Sequence, residues 1–484
     1  MISHNILRIL VLTSLIMVGC KKNNTNLEES VIQLPTNSAI IHGPIRLDLD
    51  WVGYDRVTFT AKINVDLMSK YQEVGFLYST NDDLKVDKAS VKVISIKEET
   101  YEDTFEISGD TEYYYTTYTL KYGIYSYGET KCFKSLRTPY TIQSNLNIVT
   151  ATDLSSPTSA NCYVVSEPGL YKFKAVKGNS CEIVGSVASA SIIWETFGTL
   201  TIPDYLELIG GVCYKDGYIA FNTSATFKEG NAVIAAMDAN SNILWSWHIW
   251  LTDQPQEQVY NNNAGTLMDR NLGATSATPG DLGALGLLYQ WGRKDPFLGA
   301  SSISSSTPAK STIAWPSAVS TSSSIGTIEY ITSHPTTFVT APSSPYDWHY
   351  ASRDNTLWTT NDKTKSIYDT CPAGWRVPDG DSNGVWSKAL ASPDVFYIDN
   401  YDSINKGMNF FGKFGSDQFI WYPASGYRYN SGVGLSLVGH NSRHWSASPY
   451  GNDACGLSFS SSGSVAPLYG YNRACGYSVR CFKE

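Results

Sequence analysis

The sequence predicts a mainly β, exported protein of several domains, and three observations carry that expectation. Aromatic residues are dense, with 32 tyrosines and 13 tryptophans, while charged residues make up only 17% of the chain. Stretches that alternate apolar and polar residues recur between glycine- and serine-rich turns, which is the period of half-buried strands. A chain of 484 residues is also too long to close around one hydrophobic core.

The first element is a leader. "MISHNILRILVLTSLIMVGC" has one positive side chain, Arg8, followed by an apolar run from Ile9 to Val18. That run is short for a membrane span and suits a signal-peptide core. Gly19–Cys20 after it resembles a bacterial lipobox, with Met17 where leucine is usual. The expectation is cleavage of residues 1–19 and lipidation of Cys20, holding the protein on the bacterial outer membrane at its cell-surface or periplasmic face. Each buried acyl CH₂ contributes about 0.8 kcal/mol to such an anchor. An ordinary secretory signal would export the chain equally. Residues 20–37 are polar and unpatterned and suit a tether.

Charge narrows the partners. The formal net charge is −9, spread along the chain. No basic stripe exists to neutralise phosphates, which argues against a nucleic-acid partner.

From residue 38 strands dominate. "RVTFTAKINV" alternates Val57, Phe59, Ala61, Ile63 and Val65, and "EVGFLYS" and "ASVKVISI" follow. "TEYYYTTYTLKYGIYSYGETKCF" then gives a strand, a Tyr-Gly turn and a strand. That order resembles the last hairpin of a fibronectin type III-like domain, so residues 38–142 are assigned to an immunoglobulin-like sandwich whose tyrosines pack rather than bind.

Residues 143–255 form a second β domain in this reading. "NCYVVSEPGLYKFKAVKGN" contains two strands about a Pro-Gly turn, and "NAVIAAMDANSNILWSWHIWLTD" is a hairpin around Asp238–Asn242. In its second strand Ile243, Trp245, Trp247, Ile249 and Leu251 share one face, with His248 and Trp250 on the other. A strand that apolar is expected to be buried on both faces, with His248 a satisfied core histidine.

Beyond 256 the texture changes. Thr266–Met268 is strand-like, a short helix is expected near Gly283–Trp291, and residues 299–345 form a Ser/Thr/Pro-rich insertion of the kind that is functional or mobile. "MDRNLGA", "LLYQWGRKDPF", "CPAGWRVP", "HWSAS" and "SVRC" occur in this order between 268 and 481. Together they resemble the Fibrobacter succinogenes major paralogous domain of Bacteroidetes-type lipoproteins, over residues 256–484. The resemblance implies an α+β fold related to C-type lectins and to the formylglycine-generating enzyme. It also implies that the two ends of the domain meet under nested disulfides, Cys371–Cys481 outside and Cys455–Cys475 inside, although four cysteines allow three pairings. Some members look like fimbrial tip adhesins.

Within that reading Trp421, Tyr427, Tyr429, His444 and Trp445 are ligand candidates for a glycan or protein. "DGDSNG" offers Asp379, Asp381 and Asn383 as oxygen donors to calcium, but Leu390 stands where an EF-hand loop places its bidentate glutamate. The competing reading is a turn before a helix in "GVWSKALAS". No other cofactor is expected. "CGYSVRC" is superficially like the enzyme's cysteine pair, but it is spaced by one residue more and lacks a following tail, so no catalytic residue is assigned. His440 and His444 are four apart in a Gly/Ser-rich stretch unsuited to a helical metal pair. Three functions stay open: a lectin-like adhesion module, a structural component among fimbrial subunits, and a hydrolase or modifying enzyme.

Overall fold

The computed structural model describes residues 39–52, 56–135, 146–204, 206–350, 353–415, 419–432 and 434–484. Cys20 and the 142/143 boundary lie outside the described residues. The protein is mainly β, built from many small sheets. Two compact units divide it. One draws its described residues from Met1–Asp48, Ala61–Tyr101 and Glu112–Lys134, the other from Leu49–Thr60, Glu102–Thr111 and Ser135–Glu484.

The N-terminal strands are β1 (Ile40–His42), β2 (Ile45–Val52), β3 (Arg56–Ile63), β4 (Glu73–Ser79), β5 (Lys92–Ser95), β6 (Thr100–Glu106), β7 (Glu112–Lys121), β8 (Ile124–Tyr127) and β9 (Lys131–Lys134). They form one sheet in the order β1-β2-β3-β6 and another in the order β5-β4-β7-β8, with β9 also on β7. On β3 the alternation holds as expected, with Val57, Phe59, Ala61 and Ile63 buried. Val65 departs from it. Asn64 accepts N–H bonds from Asp66 and Leu67 at 3.1 and 3.3 Å, and this cap starts a one-turn helix, Val65–Met68, that leaves Val65 exposed. Gly75 lies where a Cβ would stand 2.0 Å from the carbonyl oxygen of Ile94, so β4 and β5 pair only because that residue has no side chain.

After residue 146 come β10 (Thr152–Asp153), β11 (Cys162–Val165), β12 (Leu170–Lys174), β13 (Ser189–Thr196), β14 (Ile209–Lys215), β15 (Tyr218–Thr223), β16 (Gly230–Met237) and β17 (Ile243–Leu251). They make two four-stranded sheets, β10-β12-β15-β14 and β11-β17-β16-β13. The strands flanking the Pro-Gly turn go to different sheets, β11 pairing parallel with β17 and β12 antiparallel with β15. The β16–β17 hairpin is as expected. The Asp238 carboxylate accepts N–H bonds from Asn240 and Asn242, both at 2.8 Å, and fixes the turn.

β17 is the hinge of the packing. Trp245, Trp247, Ile249 and Leu251 enter a core with Tyr163, Phe173, Ile219 and Phe221 between the two sheets. Trp250 on the opposite face enters a second core with Trp194, Leu272, Tyr289, Trp291, Trp445 and Tyr477. Residues on both sides of position 255 thus share one core. Asn231 and Trp250 tie them further, donating to the carbonyls of Gly273 at 3.0 Å and Ala274 at 2.9 Å.

In 256–484 the beginning and the end meet. Gly265–Met268 pairs antiparallel with Phe482–Lys483, which also pairs with Trp375–Arg376. A three-stranded meander of Asn441–Tyr450, Asp453–Ser460 and Ser464–Tyr471 lies beside a small sheet containing Tyr427–Arg428 and Gly476–Tyr477. The helix expected near Gly283–Trp291 is a 3₁₀ turn at Leu282–Ala284 followed by a strand, Tyr289–Gln290. The Gln290 side chain explains the strand, because it bridges the backbone of Val339 and the carbonyl of Ala474. The 299–345 insertion is ordered by the same contacts. It carries a parallel strand pair, Val319–Ser320 with Val339–Thr340, and a helix, Ile328–Ser333, capped by Thr327.

Candidate functional site

Three parts of the structure carry chemistry worth weighing: the "CPAGWRVP" loop, a buried cysteine–histidine pair, and an arginine among tyrosines.

The loop is held from both sides. Cys371 and Cys481 form a disulfide with Cα atoms 5.9 Å apart. The buried Asp369 carboxylate accepts the N–H groups of Cys371 at 2.8 Å and Val377 at 2.9 Å. Lys365 Nζ donates to the carbonyls of Cys371, Pro372 and Trp375 at 2.7–2.8 Å. Burial pushes the Asp369 carboxyl up to about 6, against the pull of Lys365 and of the two N–H groups. Asp369→Ala removes two charge-assisted bonds of about 1.5–3 kcal/mol each. A loss of about 3–6 kcal/mol in chemical denaturation is the expected outcome.

The acidic turn already has partners within the protein. Asp379 pairs with Arg376 at 2.8 Å and Asp381 with Lys363 at 3.1 Å, so both carboxylates already face cations. Asp381 also accepts the Asn383 N–H at 2.8 Å, closing a turn before the helix Val385–Leu390. These contacts fit the reading of a turn before a helix, although the residue at the helix start is Gly384, which offers no side-chain cap.

The inner disulfide is not formed. Cys455 and Cys475 are free, buried thiols. Strand register sets Cys455 opposite Gly470, and its thiol donates to the Gly380 carbonyl, while Cys475 lies beyond the Asn472 turn beside Tyr477. Burial pushes the Cys455 thiol up to about 12 and raises that of Cys475, which disfavours the thiolate form that a nucleophile uses.

Cys162, His248 and Asn231 stand in the order of a nucleophile, a base and an orienting amide. Cys162 Sγ is 3.4 Å from His248 Nδ1, and His248 Nε2 is 2.9 Å from Asn231 Oδ1. Asn231 Nδ2 donates to Gly273, so its oxygen is the acceptor and His248 carries its proton on Nε2. The group is sealed in the core. Desolvation lowers His248 to about 3 and holds the Cys162 thiol far above its ordinary value. It is a satisfied polar network, which agrees with the expectation for His248.

Of the five ligand candidates, four are interior. Trp421, Tyr427, His444 and Trp445 are buried. Trp445 donates to the Tyr289 carbonyl at 2.8 Å, and His444 Nε2 lies 3.0 Å from Asn271 Oδ1. Their burial follows from strand alternation in Asn441–Tyr450, which turns His444 and Trp445 to opposite cores. His440 is exposed and His444 is not, so they do not face one metal.

Tyr429 is different, being 44% exposed. It begins an aromatic surface that the sequence reading missed in part. Arg443 lies over the rings of Tyr427, Tyr471 and Tyr477 at 3.9, 4.6 and 5.3 Å. Tyr429 packs on Tyr427 and Tyr469 on Tyr471, each with ring centres 5.1 Å apart. Tyr469 is 52% exposed, and the buried Trp445 lies 4.3 Å from Tyr477 as a floor. Two Tyr-x-Tyr segments, 427–429 and 469–471, thus bracket one guanidinium. The i, i+2 spacing in "YRY" and "YGY" was the available signal, since it puts both rings on one strand face.

A second feature is shallower. Clefts of about 340 and 330 Å³ flank Phe419 and Trp421. Phe411 and Phe419 are half exposed there, and Asn400, Asp402 and Asn409 line one side.

No protein-family model matches the chain, and no curated protein does. Among solved structures, a bromine derivative of BhCBM56 is 14% identical over 20% of this chain and 99% of that one, with a TM-score of 0.15. A GH family 64 laminaripentaose-producing β-1,3-glucanase from Paenibacillus barengoltzii is 13% identical over 40% of this chain and 46% of that one, at 0.13. Extracellular domains 3–5 of Drosophila OTK are 12% identical over 47% of this chain and 70% of that one, at 0.11. Scores so low carry no argument about fold or ligand.

Proposed function

We propose that this protein is an envelope-anchored binding module, tethered through Cys20, whose lectin-like C-terminal region engages a saccharide at the Tyr429–Arg443–Tyr469 surface. One observation carries the reading. Two half-exposed tyrosines, Tyr429 and Tyr469, pack on the buried rings of Tyr427 and Tyr471 that hold a guanidinium, above an aromatic core. Tyrosine presents a flat apolar face to the C–H face of a sugar and a hydroxyl to its rim, and side chains locked by packing lose little entropy on binding. An adhesive role at a cell surface follows from the same reading.

The test is a glycan array probed with the full chain, beside a Tyr429→Ala/Tyr469→Ala variant. Binding to a defined glycan set that weakens at least ten-fold in the variant supports the proposal. A blank array with co-purification of fimbrial subunits would favour a structural role instead.

A further inference from the structure

The bracketing tyrosines account for stacking but leave the charge of Arg443 unspent. No carboxylate lies within ion-pair distance of it among the described residues, and the groups acting on it are tyrosines. Its Nη1 donates to the Tyr477 hydroxyl at 2.8 Å, and among the described residues its Nε is buried without a partner and its Nη2 makes no hydrogen bond. Buried or half-buried cations are normally paired, so a guanidinium held by ring faces and one neutral hydroxyl is an incomplete site. Tyr429 adds a second donor. Its oxygen accepts from the Tyr427 hydroxyl at 3.2 Å, which leaves its own proton for another acceptor. Among the described residues the guanidinium and the Tyr429 hydroxyl thus retain donor capacity that no carboxylate of the protein takes up.

Resting on the proposed saccharide site, we infer that its ligand is an acidic saccharide, whose ring stacks on Tyr429 or Tyr469 and whose carboxylate meets Arg443. A carboxylate matches a guanidinium in plane and charge, and the surrounding rings exclude water that would weaken the pair. The stacking faces favour a sugar ring over an acidic peptide, whose carboxylates sit on flexible stems without a flat partner for the tyrosines.

The experiment titrates matched pairs into the full chain: oligogalacturonate against its methyl ester, and sialyllactose against its methyl ester. At least one carboxylated form is expected to bind ten-fold or more tighter than its neutral match. Arg443→Gln is expected to reduce that preference below three-fold. Tyr429→Phe, a surface change that keeps the ring, is expected to reduce it several-fold and serves if Arg443→Gln does not fold. Tyr469→Ala is expected to weaken acidic and neutral forms alike. Equal binding of every matched pair, a preference that survives both Arg443→Gln and Tyr429→Phe, or poly-glutamate binding as tightly as the best saccharide would overturn the inference while leaving saccharide binding standing. Failure of every glycan to bind would overturn both.

Discussion

Replacing Cys371 and Cys481 together by serine is expected to destabilise the larger unit by about 4–5 kcal/mol. The bridge spans 110 residues of sequence, and a loop that long loses much of its unfolded-state freedom when closed. The bridge also fastens the last strand, Phe482–Lys483, between Gly265–Met268 and Trp375–Arg376. Guanidinium titrations of the wild type, the double serine variant and the reduced wild type measure the effect. Cys132 is disulfide-bonded as well, so the comparison is read on the larger unit, where the two proteins lacking the Cys371–Cys481 bridge should share a lowered midpoint. A change below about 1 kcal/mol would mean that strand pairing alone closes this region.

The second large effect is a pair of opposed titrations in the same sheet. Glu195 on β13 is fully buried and accepts one bond, from Ile209 N–H at 2.9 Å, and desolvation pushes its carboxyl up to about 8. A raised carboxyl binds its proton more tightly in the folded state. Its contribution is therefore complete below the unfolded value near 4.3 and is lost as pH rises through 8. His248 is lowered to about 3, so its contribution is complete above about 6.5 and is lost as pH falls toward 3. Each amounts to about 5 kcal/mol in all, at about 1.4 kcal/mol per pH unit. Between about pH 4.3 and 6.5 the two slopes cancel. Relative to the wild type, Glu195→Gln is expected to gain stability steadily as pH rises to 8. His248→Gln is expected to gain it as pH falls from 6.5. Denaturation midpoints measured across this range give both differences, and parallel curves for all three proteins would refute the assignment.

What the sequence made legible were features set by short-range periodicity. The two faces of β17 could be read because nine residues alternate without interruption, and both cores are found where that alternation points. The Asp238 turn is likewise local. Ligand candidacy was not legible in this way. Trp445 and Tyr429 look alike in sequence, yet one is under Tyr471 and Tyr477 and the other is open, a difference made by residues 26 and 32 positions further along the chain. Arg443 was missed because an arginine between a serine and a histidine looks like a solvated strand residue, and only the fold brings three tyrosines over it. The inner disulfide failed for a similar reason. The order of cysteines permits it, but the register that pairs Cys455 with Gly470 does not bring Cys475 to the same place.

The most direct test sets the two exposed aromatic surfaces against each other. A glycan that the full chain binds is titrated against the wild type, Tyr429→Ala/Tyr469→Ala and Phe411→Ala/Phe419→Ala. Affinity should fall at least ten-fold in the tyrosine variant and stay within two-fold in the phenylalanine variant. The reverse pattern would place the ligand in the Phe411–Phe419 cleft and contradict the account of the Arg443 surface.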